Sequence, residues 1–251
     1  MRFPLKKKRI EMTEELFRHD AYLKSCEATV ARAGPDGIVL DRTVFYPEGG
    51  GQPGDSGTLS LADGTEIPIA NTRKDRETGV QVHLPAEGAE MPAAGATVSC
   101  TVDWDRRYRH MRIHTCLHLL CAVIDGDVTG GQIGDGKGRL DFNLPDTSLD
   151  KPMIEAAIND LIDADLAVGA EWITDDEMAE RPDLVRTMSV KPPSGAGKVR
   201  LLRVGVDDKA VDLQPCGGTH VAKTGEIGRI EIGKIENKGR QNRRVNIRFA
   251  A

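Results

Sequence analysis

Histidine is scarce in this chain, six in 251 residues. Three of the six, His110, His114 and His118, fall at i, i+4 and i+8 of a run without Gly or Pro, residues 104–124. Such a run reads as one helix, with Ile113, Leu117, Leu120 and Ile124 at helical spacing for a core. Residues four apart share a helix face, so neighbouring pairs can chelate one ion. His110 and His118 are roughly 12 Å apart along the axis, too far for an ion whose ligand bonds are about 2.0–2.3 Å. The helix therefore offers one pair, 110/114 or 114/118. About a hundred residues later, Cys216 and His220 bracket Gly217, Gly218 and Thr219. A loop that small lets a thiolate and an imidazole converge. Three nitrogens and one sulfur make a tetrahedral set that suits zinc. Any fold of this chain that uses both half-sites must bring the helix and the distant loop together. A helix whose histidines only hydrogen-bond within a core would gain nothing from the glycines of that loop.

Hydrophobic residues make up 39% of the chain and charged residues 29%, as in ordinary globular proteins. No apolar run reaches the ~18–20 residues of a membrane helix, and no secretory-signal stretch follows the basic start. The expectation is a cytoplasmic protein with no membrane partner. Five cysteines, at 26, 100, 116, 121 and 216, are odd in number and irregular in spacing, so they read as free thiols. Cys116 and Cys121 are read as small apolar core residues. The net charge of −5 argues against indiscriminate nucleic-acid binding. Residues 229–251, however, carry seven basic and two acidic side chains, a local excess that suits phosphate.

Residues 1–11 read as an extension, with Met12 as the natural start. From about Tyr22 to Val102, short runs bounded by Gly, Pro, Asp and Asn predict a small β-barrel or sandwich. They are residues 27–31, 37–40, 58–60, 66–69, 80–83 and 97–102. The character changes at Asp103, which sets two domains, 1–103 and 104–251. In the second, a Gly-rich segment, 126–138, precedes a strand near 139–144. A helix is expected from Lys151 to about Val168. Helix and loop follow over 174–198, where Pro192, Pro193, Gly195 and Gly197 mark a flexible stretch. Strands are expected at 199–204, 211–213, 228–234 and 244–249.

The segment RRYRHMRIHTCLHLL and the distant CGGTH resemble the HxxxH and CxxxH zinc motifs of the alanyl-tRNA synthetase editing domain. They look most like its free-standing relatives, the AlaX trans-editing proteins. TVFYPEGGGQPGDSG at 43–57 resembles the Gly-rich motif of that family. Further matches are GGQIGDGKGRLDF at 130–142 and KTGEIGRIEIGKIENKGRQNRRVNIRF at 223–249. The resemblance covers nearly the whole chain from Met12, and no segment looks like an aminoacylation domain.

The resemblance implies an α+β fold: a small N-terminal β-barrel carrying the Gly-rich motif, then an editing domain of the kind shared with threonyl-tRNA synthetase. It implies one zinc on His114, His118, Cys216 and His220, which selects 114/118 as the helical pair. It implies hydrolysis of seryl- and glycyl-tRNA made in error on alanine tRNA. Gln52 of the Gly-rich motif is then expected to reach the scissile region. Thr219, Gly50 and Gly51 would hold the carbonyl or ribose, and Arg240, Arg243 and Arg244 would contact phosphates. Two rival readings are a zinc-stabilised tRNA-binding module without catalysis and a zinc hydrolase of small esters or amides.

Overall fold

The computed structural model describes residues 13–144, 149–187 and 197–251. The expected extension at 1–11 and the Pro192, Pro193 and Gly195 stretch lie outside the described residues. Tertiary contacts divide the chain into two units. The first runs up to Glu48 and resumes over Gly54–Trp104; the second is Gly49–Pro53 with Asp105–Ala251. The tip of the Gly-rich motif, Gln52 included, thus belongs to the second unit.

The first unit contains β1 (Glu14–Glu15), β2 (Ser25–Gly34), β3 (Gly37–Leu40), β4 (Arg42–Thr43), β5 (Gly57–Leu61), β6 (Glu66–Lys74), β7 (Gln81–Pro85) and β8 (Thr97–Val102). Six of these close into a barrel in the order β2-β3-β7-β6-β5-β8. Closure pairs every long strand on both sides and leaves no edge to template aggregation. The strands bury alternate side chains. Along β8, Val98, Cys100 and Val102 point inward while their neighbours are exposed. They meet Ile67 and Ile69 of β6 and Leu59 of β5 in one apolar core.

Of the two histidines of this unit, His83 is buried. His83 Nδ1–H donates to the Ile38 carbonyl at 3.1 Å and Nε2 accepts from the Thr43 hydroxyl at 2.8 Å. Both bonds fit the neutral ring, and burial pushes its pKa down to about 4. The unfolded chain takes up a proton near pH 6.5 that the folded barrel refuses until about pH 4. Stability is therefore full above pH 6.5 and falls as pH drops through that window, by about 3 kcal/mol from this group. Denaturant melts at pH 7 and pH 4 should show that loss, and His83→Gln should flatten it.

The second unit contains α1 (Trp104–Val123), β9 (Asp127–Gly134), β10 (Lys137–Asn143), α2 (Lys151–Asp163), β11 (Val168–Thr174), α3 (Asp175–Ala179), β12 (Lys198–Val204), β13 (Asp212–Pro215), β14 (Ile230–Asn237) and β15 (Asn242–Phe249). An antiparallel sheet runs β14-β15-β10-β9 and a smaller one runs β11-β12-β13. The fold is α+β. Helix α1 lies close against β10, where a Cβ on Gly138 would come 2.7 Å from Ile113 Cγ2. Helix α2 shields the edge strand β14. Asn159 of α2 donates to the Ile230 carbonyl and accepts from its N–H, both at 3.1 Å, and Glu155 accepts from Ile232 N–H at 2.8 Å.

One expectation needs correction. The helix from Lys151 ends at Asp163, not near Val168. Asp165 has φ +46, which no helix continues through, and the Leu166 N–H is taken by the Thr224 hydroxyl at 2.8 Å. The Gly-rich segment 126–138, given no element from sequence, forms β9, the turn of its hairpin and the start of β10.

Candidate metal centre

Helix α1 places His114 and His118 one turn apart, with ring centroids 5.4 Å from each other. Strand β13 ends at Pro215 and delivers the Cys216–His220 loop to the same point. Two bonds fix the loop's approach: Cys216 N–H donates to the Arg200 carbonyl at 3.1 Å, and Arg200 Nη1 donates to the Cys216 carbonyl at 2.7 Å. The loop also needs Gly218. A Cβ there would lie 2.5 Å from His114 Nδ1 and 2.8 Å from Gln52 Oε1, so only glycine lets the chain pass.

The ligand atoms of His114, His118, Cys216 and His220 all lie within 4.8 Å of one another and could hold a metal ion. Cys216 Sγ is 3.5 Å from His114 Nε2 and 3.2 Å from His220 Nε2. A tetrahedral ion with ordinary zinc–nitrogen and zinc–sulfur bonds would set such atoms ~3.5 Å apart. His110 is buried on the same helix but is not part of the group.

The hydrogen bonds behind the rings fix all three tautomers. The Thr219 backbone N–H can only donate, and it meets Gln52 Oε1 at 3.2 Å. That oxygen also faces His114 Nδ1 at 2.9 Å, so Nδ1 carries the proton. His118 Nδ1–H donates to the Asp212 carboxylate at 2.7 Å, and Gln214 Nε2 donates to both Asp212 oxygens at 3.0 Å. The Thr115 hydroxyl donates to the Met111 carbonyl at 3.0 Å and accepts from Val221 N–H at 3.3 Å. It is then an acceptor for His220 Nδ1–H at 3.3 Å. Each ring thus turns its Nε2 towards the thiol. Lone pairs aimed at one another in a buried place repel unless a cation or a proton lies among them, and a second partner on Nδ1 is the usual setting of a ligating histidine.

In the electrostatics a proton on His118 takes that role. Burial opposes charge on Cys216, but the His114 and His220 imidazoles beside it hold its thiol well below the usual 9. Burial lowers His118 too, yet the Asp212 carboxylate and Cys216 overcome it and push the ring up to about 10. Burial and the His114 ring keep His220 well below 6.5. The two cysteines of α1 behave as core thiols: burial lifts Cys116 and Cys121 to about 12.

Gln52 and Thr219, expected to face substrate, are 1% and 0% exposed. Gln52 Nε2 donates to Thr219 Oγ1 at 2.8 Å, so both ends of the carboxamide are spent on bracing His114 and the ligand loop. Gly50 and Gly51 occupy the corner of a tight turn at φ +58 and +82, closed by Gly49 and Gln52. The turn docks on β9: Ile133 N–H donates to the Gly51 carbonyl at 2.8 Å, and a Cβ on Gly51 would come 2.7 Å from the Gly131 carbonyl oxygen. The basic tail is less open than its charge suggests. Arg243 is buried and donates to the Gly239 carbonyl at 3.1 Å. Arg244 forks onto Asp141 at 2.8 and 2.9 Å, a carboxylate that Arg139 also contacts. Arg240 is exposed. Asp212, Gln214, Thr115 and Arg200 were not singled out from sequence, although Asp212, Gln214 and Cys216 carry a strand's period of two.

Comparison with known proteins places this arrangement. Residues 199–246 match the model described as threonyl and alanyl tRNA synthetase second additional domain. Residues 8–106 match that of tRNA synthetases class II (A). The alanyl-tRNA editing protein AlaX-M of Methanosarcina barkeri is 38% identical over 93% of this chain and 98% of its own length. The chain belongs to the AlaX-M family. Its counterpart in Saccharolobus solfataricus is 33% identical over the same shares of both chains. The alanine–tRNA ligase of Pyrobaculum neutrophilum is 39% identical over 89% of this chain, which spans 25% of that ligase. Among the described residues, no helix of this AlaX-M member is long and apolar enough to cross a membrane.

Proposed function

We propose that this protein acts in trans on tRNA, hydrolysing the ester that links serine or glycine to alanine tRNA, with one zinc held by His114, His118, Cys216 and His220. The observation that carries the metal half is the convergence of three Nε2 atoms and one thiol, each ring fixed by a partner on Nδ1. The editing names of its relatives carry the substrate half. Three nitrogens and a sulfur suit zinc above harder cations. When bound, the ion supplies a positive charge that orients the aminoacyl end and polarises its carbonyl. An aminoacyl ester is already activated, so positioning beside an ordered water suffices for much of the rate. Gln52 and Thr219 serve as positioning residues: Gln52 holds the His114 ring and the loop in one geometry. Gln52→Ala should lower metal affinity 10- to 100-fold, as losses of a ligand's hydrogen-bond partner do, measured by competition with a chromophoric chelator.

The need for such a hydrolase follows from binding energies. A site that accepts alanine cannot strongly exclude glycine, nor serine, which adds only a hydroxyl. A second site that hydrogen-bonds the serine hydroxyl can spare alanine by as much as ~10⁴-fold, because its own polar groups go unpaired when the hydroxyl is missing. Alanine tRNA charged separately with serine, glycine and alanine tests this. The first two should be deacylated, glycine with the weaker discrimination, and the third spared. No deacylation of either mischarged form with enzyme in excess over tRNA would refute the hydrolase reading and leave a tRNA-binding module. Hydrolysis of small esters without RNA would favour a general zinc hydrolase.

A further inference from the structure

Trp172 lies on β11, the outer strand of the β11-β12-β13 sheet, and is 44% exposed. Among the described residues, it is the only aromatic among the exposed large hydrophobic side chains. An exposed indole offers a flat apolar face with a polar N–H edge on which a planar partner can stack. The strand register places it. Trp172 is opposite Arg200, and directly opposed residues of an antiparallel pair project from the same face. That face continues through Leu202 to Gln214, and through Val204 to Asp212. Gln214 and Asp212 are the residues that hold His118. Arg200 itself donates to the Cys216 carbonyl at 2.7 Å and the Gly218 carbonyl at 3.2 Å. The other face is filled by the apolar cluster of Val199, Leu201, Met178 and Leu184. One sheet face thus runs from the braces of the ligand cluster to the exposed indole. Lys198, also exposed, pairs with Thr174 one step further along the same face.

We propose that Trp172 is a stacking platform for an unpaired base at the 3′ end of the tRNA, with Lys198 taking a neighbouring phosphate. This rests on the reading of tRNA as the substrate. The ester to be cut sits at the tip of a short single strand, so the bases just behind it must lie beside the ligand cluster. Single-stranded nucleic acid is held by aromatic faces that stack bases and by cations that meet the backbone. An indole and an ammonium on one face, continuous with the cluster, have that chemistry.

The chain has two tryptophans, so Trp104→Phe leaves Trp172 as the sole indole reporter in the full-length, zinc-loaded protein. Uncharged alanine tRNA should quench its fluorescence, and the same tRNA lacking its three 3′ nucleotides should not. Trp172→Ala should weaken binding of intact tRNA about 10-fold, and Trp172→Phe should restore most of it. In deacylation, Trp172→Ala should raise KM and leave kcat close to wild type. Lys198→Glu should weaken binding more at low salt than at high salt. Equal quenching by intact and truncated tRNA, or unchanged affinity in Trp172→Ala, would overturn the platform. The binding arm needs no hydrolysis, so 3′-end-dependent quenching without deacylation would overturn only the hydrolase reading. Deacylation that is indifferent to Trp172→Ala would overturn only the platform.

Discussion

Gly218→Ala should cost the protein its metal although no ligand is deleted. The added methyl would lie 2.5 Å from His114 Nδ1 and 2.8 Å from Gln52 Oε1. Both neighbours are ring or amide atoms tied into hydrogen bonds, not the loose ends of flexible side chains. The loop must therefore retreat or the His114 ring must turn, and either pulls a ligand atom away from a set that lies within 4.8 Å. A tetrahedral site tolerates distance errors of only about 0.2 Å, so affinity should fall by more than about 100-fold, the upper end for losing a supporting hydrogen bond. Gly169→Ala is the control: its Cβ would meet nothing within 4 Å. Metal content of the two variants, measured after gel filtration, distinguishes a crowded ligand loop from a general intolerance of substitution.

His118→Ala should abolish metal binding and deacylation together, whereas His110→Ala should keep the metal. Both histidines are buried on α1, so burial alone would predict similar damage. Their surroundings differ: His118 Nε2 belongs to the converging set and its Nδ1 is held by Asp212, while His110 lies outside the set. His118→Ala also strands a buried carboxylate that had a ring N–H to accept from, which adds a stability cost of its own. His118→Gln, which can still donate to Asp212, separates the two effects. It should recover part of the thermal stability and none of the tight metal binding. Equal metal content in His110→Ala and His118→Ala would mean that the pair was chosen wrongly.

The residues of the cluster could be read in the sequence because chelation would impose spacing: four residues on a helix, or four across a glycine loop. The barrel could be read because Gly, Pro, Asp and Asn punctuate runs of strand length. What escaped reading depends on partners remote in the chain. Strand β9 was not read as a strand because it is rich in glycine. Its glycines serve close approach: a Cβ on Gly131 would come 2.9 Å from Leu140 Cδ2, and Gly51 packs on the Gly131 carbonyl. The helix beginning at Lys151 seemed to run on because Leu166 and Val168 continue its apolar period. Thr224 captures the Leu166 N–H from 58 residues away, and no local pattern reports that. Asp212 and Gln214 were within reach, since a period of two leads from them to Cys216. The role of Gln52 was not: only the fold shows that its oxygen serves both Thr219 and His114.

The central claim is that one zinc in the four-residue cluster supports deacylation. Protein stripped of metal by a chelator, then titrated with zinc while the rate of seryl-tRNA deacylation is followed, tests it most directly. The rate should be near background without metal, rise in proportion to added zinc, and level off at one equivalent per chain. Full activity in protein shown by elemental analysis to hold no metal, or a rate that zinc fails to restore in correctly folded protein, would contradict it.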